Sequence, residues 1–368
     1  MRFSSKNRSR RDPASQPKPW RKTLLWIIIS VLVAALSIWA VLQQAQELSL
    51  RDIVHSVRQM QPLWLAAAVA CMLLYIISEA CAIRTSCALL QVRCPARKSL
   101  VYSATDIYFS AITPSSTGGQ PASALIMIQD GIPAMKSTAV LLMNLSLYSV
   151  SVILITAVCL VLRPGIFWHF GLFSRILIIT GCVAQLLLAV FLVLLVKDEK
   201  HLSKLGFGAI HLLKKMHLIR REDHLKAKFQ AHMDQYEICA GLFAARRQEL
   251  WQVFVYEFLQ RASQVTIPMC LYLAMGGGTL SGGDVWVLQS LILIGANYVP
   301  IPGGMGVTDY LMLDGFSSFL TSSAAVRLEV LSRSLSFYVC ILLCALLILI
   351  RFALQLYRRR KAALTQEP

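Results

Sequence analysis

Charged side chains are what this sequence of 368 residues has least of: Asp, Glu, Lys and Arg together make up 15%, against 56% hydrophobic residues. A soluble globular chain carries about 25% charged and about 45–50% apolar residues. The mean hydropathy is accordingly high, at +0.60. Residues 24–42, 137–162 and 176–196 contain no charged side chain at all, and about 20 such residues cross a bilayer core. The composition describes a polytopic membrane protein. It excludes a secreted disulfide scaffold, a nucleic-acid binder and an ordinary cytosolic enzyme.

Other absences narrow the chemistry. The ten cysteines form no CxxC and no zinc-like Cys/His spacing. Most, such as Cys71, Cys81, Cys159, Cys182, Cys270, Cys340 and Cys344, lie inside apolar runs as small packing residues. No GxxxxGK[ST], HExxH, GxSxG or Ser-His-Asp arrangement is visible. Neither a metal site, a cofactor nor a set of catalytic residues is expected.

Acidic residues are scarce as well, 19 against 36 basic, for a net charge of +17. The excess sits beside apolar runs. Residues 1–23 hold eight basic side chains against Asp12 alone, residues 197–248 hold eleven against six acidic, and the tail carries Arg358-Arg359-Arg360-Lys361. Basic clusters flanking spans mark the cytoplasmic side and lean on anionic lipid, so membrane phospholipid and not nucleic acid is the expected partner. The 24–42 run is longer than a signal-peptide core and no small-x-small cleavage site follows it, which predicts a retained anchor.

Six segments are long enough to cross: roughly 24–42, 63–90, 137–162, 173–196, 249–275 and 328–350. With both termini in the cytoplasm, Arg84, Arg93, Arg97, Lys98, the 197–248 loop and the C-terminus all fall inside. Residues 163–175, with Arg163 and Arg175, fall outside against the trend. The 200–248 stretch repeats apolar residues at helical spacing among basic ones, the pattern of amphipathic helices on an anionic leaflet or of a soluble cap. The expected organisation is a basic N-terminal tail (1–23), a membrane domain (24–355) with the 197–248 insertion, and a basic C-terminal tail (356–368).

Two regions break this pattern. Residues 99–112 are apolar and aromatic, then interrupted by Thr113-Pro-Ser-Ser-Thr-Gly-Gly-Gln-Pro121 before a second short apolar stretch that ends near Asp130. The design recurs at 285–320 around Pro300-Ile-Pro-Gly-Gly-Met-Gly306. Fourteen helical residues cover about 21 Å, short of a roughly 30 Å core. Irregular backbone at membrane depth survives only under protein or beside a polar cavity. Both regions are expected to be re-entrant hairpins entering from opposite faces, the footprint of an inverted repeat. The alternative is two ordinary hairpins and ten spans.

Ionisable groups inside spans cost about 2.5–3.5 kcal/mol each on insertion scales and need a reason. Glu79 lies near the cytoplasmic end of the second span. Glu257 and Arg261, then Glu329 and Arg333, repeat an i,i+4 acid-first spacing, which favours intrahelical pairing. It also suits arginines that bind a lipid phosphate while their acids hold them in place. Asp106 falls in the first hairpin and Asp309 just after the second Pro-Gly break, where it can cap a half-helix or meet a cation. The backbone N–H groups of Gly118, Gly119, Gly303, Gly304 and Gly306 at half-helix starts can receive an anion. Asn144 and Gln264 can hydrogen-bond across helices.

The motif Thr113-Pro-Ser-Ser-Thr-Gly-Gly-Gln-Pro121, together with Pro300-Ile-Pro-Gly-Gly-Met-Gly-Val-Thr-Asp309 and the later Arg333, resembles the flippase-like membrane-domain family. This is the transmembrane region of the lysylphosphatidylglycerol synthases, or multiple peptide resistance factors. The likeness spans most of residues 20–355. Asp309 and Gln120 stand where many members have glutamate. The resemblance implies movement of an aminoacylated or otherwise modified phospholipid between leaflets, a process tied to antimicrobial-peptide resistance. Full-length relatives append a cytosolic aminoacyl-transferase domain, for which this chain leaves no room after its last span, so an enzyme is not expected. On this reading Arg261 and Arg333 receive the phosphate, and Asp309, with Glu79 or Glu257, meets the positive headgroup or a proton. Two other functions stay open: a membrane-embedded transferase acting on phosphatidylglycerol or polyprenyl-phosphate lipids, and a non-catalytic partner of a separate lipid-modifying enzyme.

Overall fold

The computed structural model describes residues 57–113, 116–197, 246–304 and 306–364. The expected 24–42 span, the basic N-terminal tail and the 200–248 amphipathic segment lie outside these residues. All regular structure among the described residues is helical. In chain order the helices are α1 (Pro62–Leu89), α2 (Ala96–Ile112), α3 (Gly119–Gln129), α4 (Ala134–Leu162), the short α5 (Pro164–Trp168), α6 (Leu172–Lys197), α7 (Arg247–Ala274), α8 (Gly282–Ala296), α9 (Val307–Ser317), α10 (Ser322–Arg333) and α11 (Cys340–Leu364).

Length and apolar composition qualify four stretches to cross a membrane: Pro62–Leu89, Ala134–Leu162, Leu172–Leu192 and Ser322–Tyr357. The last is α10 and α11 joined through a π-helical segment, Ser334–Val339. The sequence reading also counts 249–275 as a span. Its helix, α7, has 28 residues, but Arg247, Glu249, Glu257 and Arg261 make it too polar to qualify. The fold shows where that polarity goes: α7 packs along most of α1 and also against α4, α8 and α10, so Glu257, Gln260 and Arg261 are buried inside the bundle.

The two ends of the bundle are fixed by a few contacts. At one end the Gln61 N–H donates to Ala274 O at 2.9 Å, joining the start of α1 to the end of α7. At the other, Lys136 Nζ donates to Leu90 O at 2.9 Å, joining the end of α1 to the start of α4. This second end carries exposed Arg84, Arg93, Arg97 and Lys98 and is the basic end.

Between these long helices lie two short-helix hairpins. The first, α2 and α3, leaves from the basic end and returns to it, where Asp130 caps α3 and pairs with Arg351 Nη2 at 2.8 Å and Lys98 Nζ at 3.8 Å. The second, α8 and α9, starts at the opposite end with a capping box, Ser281 to Asp284. It returns there through Asp314, whose Oδ2 accepts from the Gly171 N–H at 2.8 Å. At 17, 11, 15 and 11 residues, these helices measure about 16–25 Å. Their tips meet in the interior, where Gly303 of the second hairpin approaches Ala111 of the first.

Candidate functional site

The two hairpin tips enclose one side of a cavity of about 300 Å³ whose other walls are α1, α4, α7 and the π-helical segment. For the interior of a membrane bundle its lining is unusually polar: Glu79, Asp106, Glu257, Arg261, Gln120, Gln260 and Tyr148 all face it. Glu79 and Glu257 are only 6% and 2% exposed, Asp106 6% and Arg261 5%. Three carboxyl groups and one guanidinium therefore line one buried space.

Arg261 is held but not neutralised. Its Nη1 donates to Gln264 Oε1 one turn along α7, and its guanidinium lies 4.2 Å from the centroid of the Tyr148 ring. Its buried Nε has no hydrogen-bond partner. The i,i+4 spacing suggests an intrahelical pair with Glu257, yet the structure closes no ion pair between them. Among the described residues no hydrogen bond or ion pair reaches the Glu257 carboxylate, which lines the cavity. The side chains of α7 are drawn apart here because Arg261 leans onto Tyr148.

Glu79 has partners that its sequence neighbourhood does not show. Its Oε2 accepts from Gln260 Nε2 at 3.0 Å and from Ser103 Oγ at 3.4 Å. Asp106 accepts from Gln120 Nε2 at 2.7 Å and from Ser110 Oγ at 3.2 Å. Both carboxyl groups line the cavity, Glu79 from α1 and Asp106 from α2. Asp106, Gln120, Gln260, Tyr75 and Tyr148 are among the cavity residues that the sequence does not mark as part of the site. The one available signal was Asp106, an acid within an apolar hairpin.

Asp309 and Arg333 are placed together but not on the cavity. Arg333 Nε pairs with Asp309 Oδ1 at 2.6 Å, and Arg333 Nη1 donates to Gly303 O at 3.0 Å. Asp309 Oδ2 in turn accepts from the Gly306 N–H at 2.8 Å. The trio braces the second tip. Arg333 turns to Asp309 and not to Glu329, its i−4 neighbour.

The glycines shape the tips. Gly303, at φ 62, and Gly304 line the cavity. Several of their N–H groups are already engaged: Gly118 with Thr113 Oγ1 at 2.9 Å, Gly304 with Ile301 O at 3.0 Å and Gly306 with Asp309. Gly119 lets α3 approach Asp106 and Ser110, for a Cβ there would fall 2.0 Å from Asp106 Oδ1. Asn144 accepts from Ser86 Oγ at 2.6 Å across α4 and α1. No group of three or more His, Cys, Asp or Glu side chains among the described residues is arranged to hold a metal ion.

A family model described as the lysylphosphatidylglycerol synthase TM region matches residues 27–344. The chain belongs to this family. The match takes in both hairpins, α7 and the π-helical segment, and so every residue of the cavity. No curated protein matches the chain. Membership and the apolar helices together make the protein a multi-pass membrane protein with a lipid-related role.

Proposed function

We propose that this lysylphosphatidylglycerol synthase TM-region protein moves a phospholipid, of the aminoacylated class, between bilayer leaflets. The headgroup passes through the cavity at the hairpin tips while the acyl chains stay in lipid. The observation that supports the reading most strongly is Arg261, a guanidinium 5% exposed with an unpartnered Nε in a polar cavity inside an apolar bundle. A buried arginine is costly unless an anion meets it, and its planar fork of donors suits a phosphodiester. Glu257, uncommitted on the same helix face, meets the headgroup amine.

In this reading both hairpins are re-entrant, their short helices stopping at the cavity as in transporters whose sites lie where half-helices meet. The basic end faces the cytoplasm of the cell membrane, as the distribution of arginine and lysine directs, and both termini lie on that side. Arg333 and Asp309 serve by bracing the second tip, and Gly118, Gly119, Gly303, Gly304 and Gly306 by letting the tips close on the cavity. The lipid leaves chemically unchanged, so the protein acts as a translocator and not as a transferase.

The test is leaflet exchange of headgroup-labelled lysylphosphatidylglycerol in liposomes holding the purified protein. Wild-type exchange well above empty liposomes is expected, with Arg261→Met and Glu257→Gln each slowing it by about 10- to 100-fold, the scale of a lost hydrogen bond to a charged group. Exchange equal to that of empty liposomes from folded protein would sink the reading.

A further inference from the structure

The Glu79–Asp106 side of the cavity carries a second, distinct feature. Gln260 donates one amide N–H to Glu79 and Gln120 donates one to Asp106. In both, the amide oxygen is left buried with no hydrogen-bond partner. Gln260 is 4% exposed, and no protein donor meets its amide oxygen. Turning either amide over does not help, since its oxygen would then face a carboxylate oxygen. Two carboxyl groups and two orphaned amide oxygens on one cavity form a cluster with more acceptors than donors. A buried unpaired acceptor costs about 1–3 kcal/mol, and the four side chains, from α1, α2, α3 and α7, line the same cavity.

We propose that Glu79, Asp106 and the amide oxygens of Gln120 and Gln260 form a binding site for a monovalent coupling cation, a proton or Na⁺. The inference rests on the translocation reading and adds its energy source. All the donors are hard oxygen atoms, the set that suits a proton or an alkali cation. A set of oxygen atoms without His or Cys argues against a transition metal. The site lies on the headgroup cavity itself, which Glu257 and Arg261 line from α7, Tyr75 from α1, Tyr148 from α4 and Cys340, with Cys344 a turn beyond it, from α11. A cation held by Glu79 and Asp106 changes the charge of the cavity that Arg261 also lines, and so changes how tightly that guanidinium holds a phosphate. Linkage then makes lipid binding and cation binding alter each other by the same factor.

The experiment separates the cation from lipid movement. Thermal unfolding of the purified full chain is followed in detergent, with NaCl against choline chloride at constant ionic strength and with pH stepped from 8 to 6. A ligand that binds only the folded state raises the midpoint. A Na⁺-specific rise of about 2 °C or more, absent in Glu79→Gln and Asp106→Asn, assigns the site to Na⁺. A rise on acidification without Na⁺ dependence, at least halved in the same variants, assigns it to the proton. Gln120→Leu, which keeps both carboxyls, is expected to weaken either effect and guards against a variant that does not fold. Identical salt and pH responses in wild type and all three variants would overturn the proposal. That result leaves the liposome exchange of the preceding section standing, and loss of exchange with an intact cation response would overturn the translocator reading alone.

Discussion

Arg333 and Arg351 belong to one continuous helix, and each holds an aspartate from a different hairpin. Arg333 pairs with Asp309 at the tip of the second, at 2.6 Å, and Arg351 with Asp130 at the base of the first, at 2.8 Å. The α10–π–α11 helix is thus the element against which both hairpins are fixed. The two pairs differ in what surrounds the acid. Asp130 also accepts from Tyr102 Oη at 2.8 Å and has Lys98 nearby. Asp309 has its Gly306 cap and lies where the loop carbonyl of Gly303 also depends on Arg333.

That difference predicts an order of stabilities. Arg333→Met removes a buried partner and a loop contact together and should cost about 3–5 kcal/mol. Arg351→Met leaves Asp130 with a hydroxyl donor and a lysine and should cost about 1–2 kcal/mol. Denaturation midpoints of the two variants in one detergent check the order, and a larger loss in Arg351→Met would contradict it.

Gly303 faces two separate constraints, a positive φ of 62 and a ring: an added Cβ would fall 2.3 Å from Phe337 Cζ. Phe337 belongs to the π-helical segment, where the helix carries its cavity wall. Gly303→Ala should destabilise by at least the roughly 1–3 kcal/mol of a strained backbone. Adding Phe337→Leu should recover the steric share and leave the backbone share. Full recovery in the double variant would show that φ matters little at this position.

The helical framework was legible because it is written in short-range chemistry. Long apolar runs mark α1, α4, α6 and the helix of α10 and α11, and the Pro-Gly breaks at Thr113–Pro121 and Pro300–Gly306 mark the two tips between short helices. The cavity was legible only in fragments. Glu79 and Arg261 stand out as charges in apolar sequence, but Gln260 reaches Glu79 across 181 positions, and no local pattern marks an ordinary glutamine as its partner. The i,i+4 rule misdirects at both acid–arginine repeats because each arginine turns elsewhere, Arg333 to Asp309 and Arg261 to the Tyr148 ring and to Gln264 on its own helix. The polarity of α7, which disqualifies it as a span by composition, is the same property that makes it the wall of the site.

Tyr148 holds Arg261 through its ring face, at 4.2 Å. A desolvated cation–π contact is worth about 2 kcal/mol, and 1.4 kcal/mol corresponds to tenfold in rate. Tyr148→Phe keeps the face and should exchange lipid within about twofold of wild type. Tyr148→Leu loses it and should slow exchange about tenfold or more. Wild-type rates in both variants would mean that the hydroxyl and the ring are both dispensable and that Arg261 is positioned by Gln264.

Ser116 decides between the two topologies that the first hairpin allows. It lies on the exposed tip, at φ 55, and lines the cavity. If α2 and α3 were full crossings, the tip would emerge at the end opposite the basic one, and a membrane-impermeant thiol reagent would reach it only from that side. If the hairpin is re-entrant, residue 116 stays inside the bundle, and reagent reaches it from the cytoplasmic side through the cavity. A single Ser116→Cys in a background with the ten native cysteines replaced should therefore label in inverted vesicles and not in intact cells. A headgroup-bearing lipid that occupies the cavity should slow that labelling, because Ser116 and Arg261 line the same space. Labelling from intact cells alone, unaffected by lipid, would replace the re-entrant hairpin with two ordinary spans.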